Sequence, residues 1–273
     1  MSMVRRLGIC LLAGCDSIFA FFKDEYMSIY VGCAGWTLRR ELAESFPAVG
    51  THLERYAQVL NCVEINSSFY RSHQRKTYER WAETTPAEFR FAVKLPKQIT
   101  HVRGATDIEA RIERFVEEVG GLGEKLGPVL VQLPPSAEFS LLGAVEILGQ
   151  LRTRIETPIV CEPRHKSWFE LAAEEFMNEL HIDRVAADPS ILAEAANPGG
   201  CGEHAYFRWH GSPRMYYSEY DAAALKQLVE RLHLLAQTAR SVWCIFDNTA
   251  LGAAQKNALE MMQRIQTRTD ARA

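Results

Sequence analysis

The sequence predicts an α/β fold, a single (β/α)8 TIM-type barrel of parallel strands. Three observations carry this: eight short apolar runs bounded by turn residues, helical periodicity between them, and polar residues of common parity at the ends of the runs. The strand-like runs are 29–32, 62–65, 90–93, 129–133, 159–162, 184–187, 205–209 and 242–246. Helical spacing occupies 53–60, 77–83, 108–119, 141–151, 169–180 and 225–235. Strands that alternate with helices pair in parallel, because a parallel neighbour is reached only through a crossover.

The first run ends in Gly32-Cys33-Ala34-Gly35-Trp36, which lacks a third glycine and sets a bulky Trp where a pyrophosphate would need bare backbone, so dinucleotide binding is not expected. In the second, Val63-Glu64-Ile65-Asn66, side chains alternate, and Glu64 and Asn66 share the face opposite Val63 and Ile65. The third run ends at Lys94, with His101 in the loop beyond; the fourth carries Gln132. Pro134-Pro135 then fixes the loop direction, and a cis bond is open to either Leu133-Pro134 or Pro134-Pro135. The fifth run offers Glu162 and Arg164, with His165 and Trp168 just after, and the sixth Asp188. The seventh supplies Arg208 and His210, and the eighth Asp247 and Asn248. The clearest helical stripe is Leu225, Leu228, Val229, Leu232 and Leu235, where Ser218 with Asp221 resembles a capping box.

The chain has 273 residues, 47% hydrophobic and 24% charged, as in an ordinary globular protein, and nothing inside it resembles a linker. Residues 27–273 form one domain. A formal net charge of -3 does not indicate nucleic-acid binding by bulk charge. The seven cysteines show no CxxC pair and no zinc spacing, and Cys33, Cys62, Cys161 and Cys244 fall in or beside apolar runs, which fits a reduced, cytoplasmic protein. No Walker-type, GxSxG or HExxH motif is present. Residues 1–26 are an extension: Arg5 and Arg6, a short apolar stretch and Cys15 look like a lipoprotein signal, but the stretch is too short to span a bilayer and leads almost directly into the first strand, so a start codon assigned in error upstream of Met27, or a flexible extension, is the preferred reading.

In a barrel the charged parity faces inward and the active site lies at the C-terminal mouth. Buried charges are costly unless paired, so their concurrence on one face favours a site over a purely structural role. Glu64 and Glu162 are acid and base candidates, with Lys94 and His101 as further catalytic candidates. Arg164 and Arg208 suit an anion, and Asn66, Gln132, His165, His210, Asp247 and Asn248 suit ligand positioning. Trp36, Tyr70 and Trp168, with Phe69, Tyr216 and Tyr217, would stack on a ring or pack the loops. A divalent metal on Glu162, Asp188, His210 and Asp247 is an alternative, though none has diagnostic local spacing. The expectation is an enzyme, a hydrolase, lyase or isomerase, acting on a small polar, anionic or sugar-like ligand. The rivals are a metal-dependent isomerase- or endonuclease-like barrel and a non-catalytic binding barrel. The residues name no cofactor and no oligomeric state.

Several of these motifs together resemble the YecE-like family, domain of unknown function 72. They are Gly32-Cys33-Ala34-Gly35-Trp36, Val63-Glu64-Ile65-Asn66-Ser67-Ser68-Phe69-Tyr70, Phe89 to Lys94, Ile99-Thr100-His101, Leu126 to Pro135, Glu162-Pro163-Arg164-His165, Ser167-Trp168-Phe169 and Phe246-Asp247-Asn248. The resemblance implies a TIM-barrel fold and no established reaction. Cys33-Ala34 stands where the family more often has Thr-Ser, and Pro163 where Phe is more usual.

Overall fold

The computed structural model describes residues 29–102 and 106–270. The extension at 1–26 lies outside the described residues. The strands are β1 (Ile29–Cys33), β2 (Cys62–Ile65), β3 (Arg90–Lys94), β4 (Leu126–Gln132), β5 (Ile159–Glu162), β6 (Ile182–Arg184), β7 (Ala186–Asp188), β8 (Gly199–Gly200), β9 (His204–Trp209) and β10 (Ser241–Phe246). Helices α1 (His52–Ala57), α2 (Arg75–Glu83), α3 (Ile108–Val119), α4 (141–152), α5 (Leu171–Glu179), α6 (Ala222–Leu235) and α7 (Ala253–Asp270) lie between or after them. The α/β alternation is as expected. The single closed sheet is not what is found: the strands form two sheets, ordered β1-β10-β9-β7 and β2-β3-β4-β5-β6-β8, parallel throughout except for β8 against β6.

Side chains replace backbone pairing at the β1/β2 boundary. Asn61 accepts from Val31 N and donates to Ile29 O, both at 2.8 Å, satisfying a stretch of β1 that has no strand partner on that side. The buried Tyr56 hydroxyl accepts from Cys33 N at 2.8 Å and donates to Cys62 O at 3.0 Å. Gly32 makes the approach possible, since a Cβ there would lie 2.1 Å from Cys62 O. At the other boundary one expected strand is split at Val185. Val185 N still donates to Cys161 O at 2.9 Å, after which Ala186–Asp188 turns to pair with β9.

Alternation sorts the side chains into two cores. Val63 and Ile65, Phe91 and Val93, Val129 and Val131, and Ile159 and Cys161 face the helices, together with Phe207 of β9 and Cys244 of β10. Residues of the opposite parity, Cys62, Ala92, Leu130, Val160, Val185, Tyr206, Trp243 and Ile245, form a smaller core to which both sheets contribute. Trp243 stacks between Tyr30 (4.4 Å) and Tyr206 (6.1 Å), and Gly127 leaves it room, because a Cβ there would come within 2.6 Å of the indole. These rings fill the interior and floor the layer above.

Some local expectations change. Asp221 alone caps α6, accepting from Ala224 N at 2.8 Å, while Ser218 Oγ accepts from Arg214 N, so Ser218 and Asp221 do not form a capping box. Among the described residues the cis bonds are Asp188-Pro189 and Ser212-Pro213, and neither Leu133-Pro134 nor Pro134-Pro135 is cis. Strand β4 starts three residues before its apolar run, at Leu126, and Pro128 falls where the pairing with β3 shifts register between Phe91 and Val93. The buried thiols of Cys33, Cys62, Cys161 and Cys244 pack as hydrophobes, and burial pushes each thiol pKa up, that of Cys33 to about 12.

Candidate functional site

Above the aromatic floor the same inward parity turns from uncharged to charged within one step in five strands: Cys62 to Glu64, Ala92 to Lys94, Val160 to Glu162, Tyr206 to Arg208 and Ile245 to Asp247. Arg208, with no exposed surface, is the hub. Its Nε and Nη2 grip Glu64 at 2.9 and 2.8 Å, Nη1 donates to Glu162 at 2.7 Å, and Nη2 also donates to Asp247 at 2.9 Å. One guanidinium thus binds three carboxylates from β2, β5 and the end of β10, spanning both sheets. The fork geometry of Arg allows this, and a lysine ammonium could not reproduce it. Tyr206 donates its hydroxyl to Glu64 at 3.0 Å, tying the floor to the charged layer.

His210, wholly buried, places Nδ1 3.0 Å from Asp247 and Nε2 3.0 Å from Glu162 and 2.9 Å from Arg164. Nε2 either accepts from Arg164 or donates to Glu162, so the imidazole proton decides which contact is bonded. Arg164 also pairs directly with Glu162. Burial alone would raise the Glu162 carboxyl pKa, but Arg208, His210 and Arg164 outweigh it and hold the carboxyl well below the usual range. Asp247 is lowered in the same way, with burial opposed chiefly by Arg208 and His210.

Lys94 is different. It is 5% exposed, its Nζ lies 4.2 Å from the centre of the Phe69 ring, and among the described residues no carboxylate is within ion-pairing distance of it. Burial first, and Arg208 second, depress its pKa to about 8 despite the attraction of Glu64, Glu162 and Asp247. All three carboxylates are already committed to Arg208.

The remaining candidates divide. Gln132 stands in register beside Glu162, and the Asn66 Oδ1, Arg164 Nε and Asn248 Oδ1 atoms are buried without a hydrogen-bond partner. The Asn248 amide nitrogen is used by Ser218 O and Asn257 Oδ1, both at 2.9 Å, which anchors the β9 loop to α7. His101 meets the Phe69 ring edge-on at 5.0 Å and shares a 2.7 Å hydrogen bond with the Thr100 hydroxyl. It borders a cleft of about 400 Å³ that continues past Leu133, Pro134 and Glu138 to Trp168. Tyr70 is exposed, near Lys97.

Four expected site residues also make contacts within the scaffold. His165 caps the turn that follows it, accepting from Ser167 N at 3.3 Å. Trp168 donates its indole N–H to Ala137 O at 2.9 Å and is 3% exposed. Trp36 is partly buried and packs edge-on against Trp81. Asp188 accepts from the Tyr220 hydroxyl at 2.7 Å, and the alternative metal quartet of Glu162, Asp188, His210 and Asp247 is not found as a metal-holding group among the described residues. Of the other three, His210 stands between Glu162 and Asp247 within hydrogen-bond distance of both, and Arg208 takes an oxygen of each carboxylate. Among the described residues no group of three or more His, Cys, Asp or Glu is arranged to hold a metal. Tyr206 was not anticipated; its position two residues before Arg208, on the same strand face, was the available signal. Tyr216, whose ring lies edge-on to His210 at 5.8 Å, was anticipated only as a loop aromatic.

No described helix is long and apolar enough to cross a membrane. The chain is 25% identical over 265 residues to the UPF0759 protein YunF of Bacillus subtilis (strain 168), covering 86% of this chain and 94% of that one. It is 30% identical over 176 residues to the UPF0759 protein YecE of Escherichia coli (strain K12), covering 62% of each. The fold is similar to crystal structures of DUF72 family proteins from Thermotoga maritima MSB8 (TM-score 0.72, 26% identity, 87% of this chain and 99% of that one) and Enterococcus faecalis V583 (TM-score 0.74, 23% identity, 87% and 95%). The family model described as "Protein of unknown function DUF72" matches residues 30–273, almost the whole described chain, and the protein belongs to that family.

Proposed function

We propose that this protein is an enzyme that binds a small polar ligand, anionic or sugar-like, at the C-terminal ends of its strands, and that Lys94 is the group that moves a proton there. On this reading the two sheets act together as one TIM-type barrel, the Asn61 bridge and the split at Val185 completing the wall where backbone pairing stops. The observation that carries it is Lys94: an inward lysine at a strand end, buried, lacking an ion-pair partner among the described residues, with a pKa near 8. A group that changes charge close to neutral pH suits general acid-base work.

The carboxylate pair takes a different part in this reading from the acid and base first expected of it. Glu64 is filled by Arg208 and Tyr206, and Glu162 is stabilised as an anion and so is not poised to give up a proton to a leaving group. They hold Arg208 and Arg164 in place, and Arg164 with Asn66 offers the ligand unused donor and acceptor atoms. The free thiols packed in the core agree with a cytoplasmic setting.

The test is a thermal-shift and turnover screen against sugar phosphates, sugar acids and small carboxylates. Arg164→Ala should weaken binding of any hit at least tenfold, and Lys94→Met should abolish turnover while binding persists. A hit whose affinity and turnover are untouched by both variants would sink the proposal.

A further inference from the structure

Building on Lys94 as the reactive group, we propose that the ligand class is a small aldehyde, ketone or 2-oxo acid and that Lys94 captures its carbonyl carbon as an imine. Covalent capture needs a free amine lone pair beside a water-poor surface, on an arm that does not wander. Lys94 provides these. Its backbone is pinned by Ser68 Oγ donating to Lys94 O at 2.6 Å and by Leu95 N donating to Leu130 O at 2.9 Å. Its Nζ lies over the Phe69 ring, and the Arg208 hub withdraws the carboxylates that would otherwise lock the amine as an ammonium. A lysine placed for charge balance would pair with one of them, and a lysine placed only to attract anions would stand in water. The depressed pKa agrees with a useful neutral fraction at pH 7 to 8.

Phe69 also carries His101 edge-on, and burial with the positive charge of Lys94 and Lys97 lowers the His101 pKa, favouring a neutral ring able to pass protons. A cleft of about 400 Å³, large enough for the body of a small carbonyl compound, is lined by His101, which touches the same Phe69 ring that Lys94 lies over; Lys94 and Arg164 do not line it, and the buried Arg164 Nε has no hydrogen-bond partner in the protein. In the step itself the Nζ lone pair forms a bond to the carbonyl carbon, and the C=O π pair moves to oxygen, which takes a proton. The resulting carbinolamine gives up an N–H proton, the hydroxyl leaves as water after protonation, and a C=N bond remains. No oxidant or reductant is required.

The experiment is reductive trapping of the intact protein at pH 7.5 with glyoxylate, pyruvate or glyceraldehyde and sodium borohydride, read by peptide mass spectrometry. Lys97, exposed on the same short segment, is the internal reference. An adduct on Lys94 at least tenfold above that on Lys97, with at least one probe, and lost in Lys94→Arg, is expected. Labelling of Lys94 no greater than that of Lys97 with all three probes overturns the imine. In that event, a Lys94-dependent thermal shift or turnover with any screened ligand would leave the general-base reading standing; its absence would remove both. Lys94→Gln, checked by circular dichroism, separates loss of the amine from loss of the fold.

Discussion

At the scale of single residues, Arg208 and Lys94 make opposite predictions. Arg208→Met would leave three buried carboxylates facing one another, and removing one partner of a buried charge network costs about 3–5 kcal/mol. A fall of that size in urea-unfolding free energy at pH 7 is expected, and a change under 1 kcal/mol would show that the network carries little. Lys94 has a folded-state pKa near 8 against an ordinary value of 10.5, so below pH 8 the unfolded chain holds its proton more tightly and the native state is penalised. The penalty is on the order of 3 kcal/mol and is relieved as pH rises from 8 to 10.5. Lys94→Met is therefore expected to stabilise the fold at pH 7 and to lose that advantage by pH 10.5, as melts at the two pH values would reveal. The common parity of Glu64, Lys94, Glu162, Arg208 and Asp247 was legible because strand alternation is local. Arg208 as hub was not, since its partner Glu64 lies 144 residues away and both are ordinary strand residues in isolation.

At the scale of elements, two seams decide the inner wall. Asn61→Ala leaves Val31 N and Ile29 O without their partner, at about 1–3 kcal/mol for each buried unsatisfied group, and the Val31 amide should lose hydrogen-exchange protection selectively. Unchanged exchange at Val31 would mean that β1 is held by β10 alone. Gly127→Ala drives a methyl into Trp243 and should cost about 1–3 kcal/mol, partly recovered in the double variant with Trp243→Phe. Equal losses in the single and double variants would contradict the close approach. Amphipathic helices such as α3 and α6 were visible from their stripes, whereas α7 was not among the predicted runs. Its buried stripe of Ala254, Ala258 and Met261 is weakly apolar, and its register is set by packing on β1 and β10. The split of the sixth strand was equally hidden, because Val185 is as good a strand residue as its neighbours and only its bond to Cys161 O marks the change of sheet.

For the whole molecule, the charged layer couples stability to pH from both sides. Glu162 and Asp247 have folded-state pKa values below their ordinary ones, so their contribution is present above about pH 4.5 and is lost as pH falls through the folded values. Acid unfolding should steepen below that point and flatten in Arg208→Met, which a series of urea midpoints from pH 7 to pH 3 would check. The overall α/β plan followed from periodicity, but the meeting of the two sheets depended on side chains, Asn61 and Tyr56 above all, whose role no local pattern announces. The central claim is that this layer presents Lys94 as a titratable amine near neutral pH, and an NMR titration of the Lys94 side chain, assigned with Lys94→Met, tests it most directly. A midpoint near 8 is predicted, and a midpoint at the ordinary 10.5 would contradict the account.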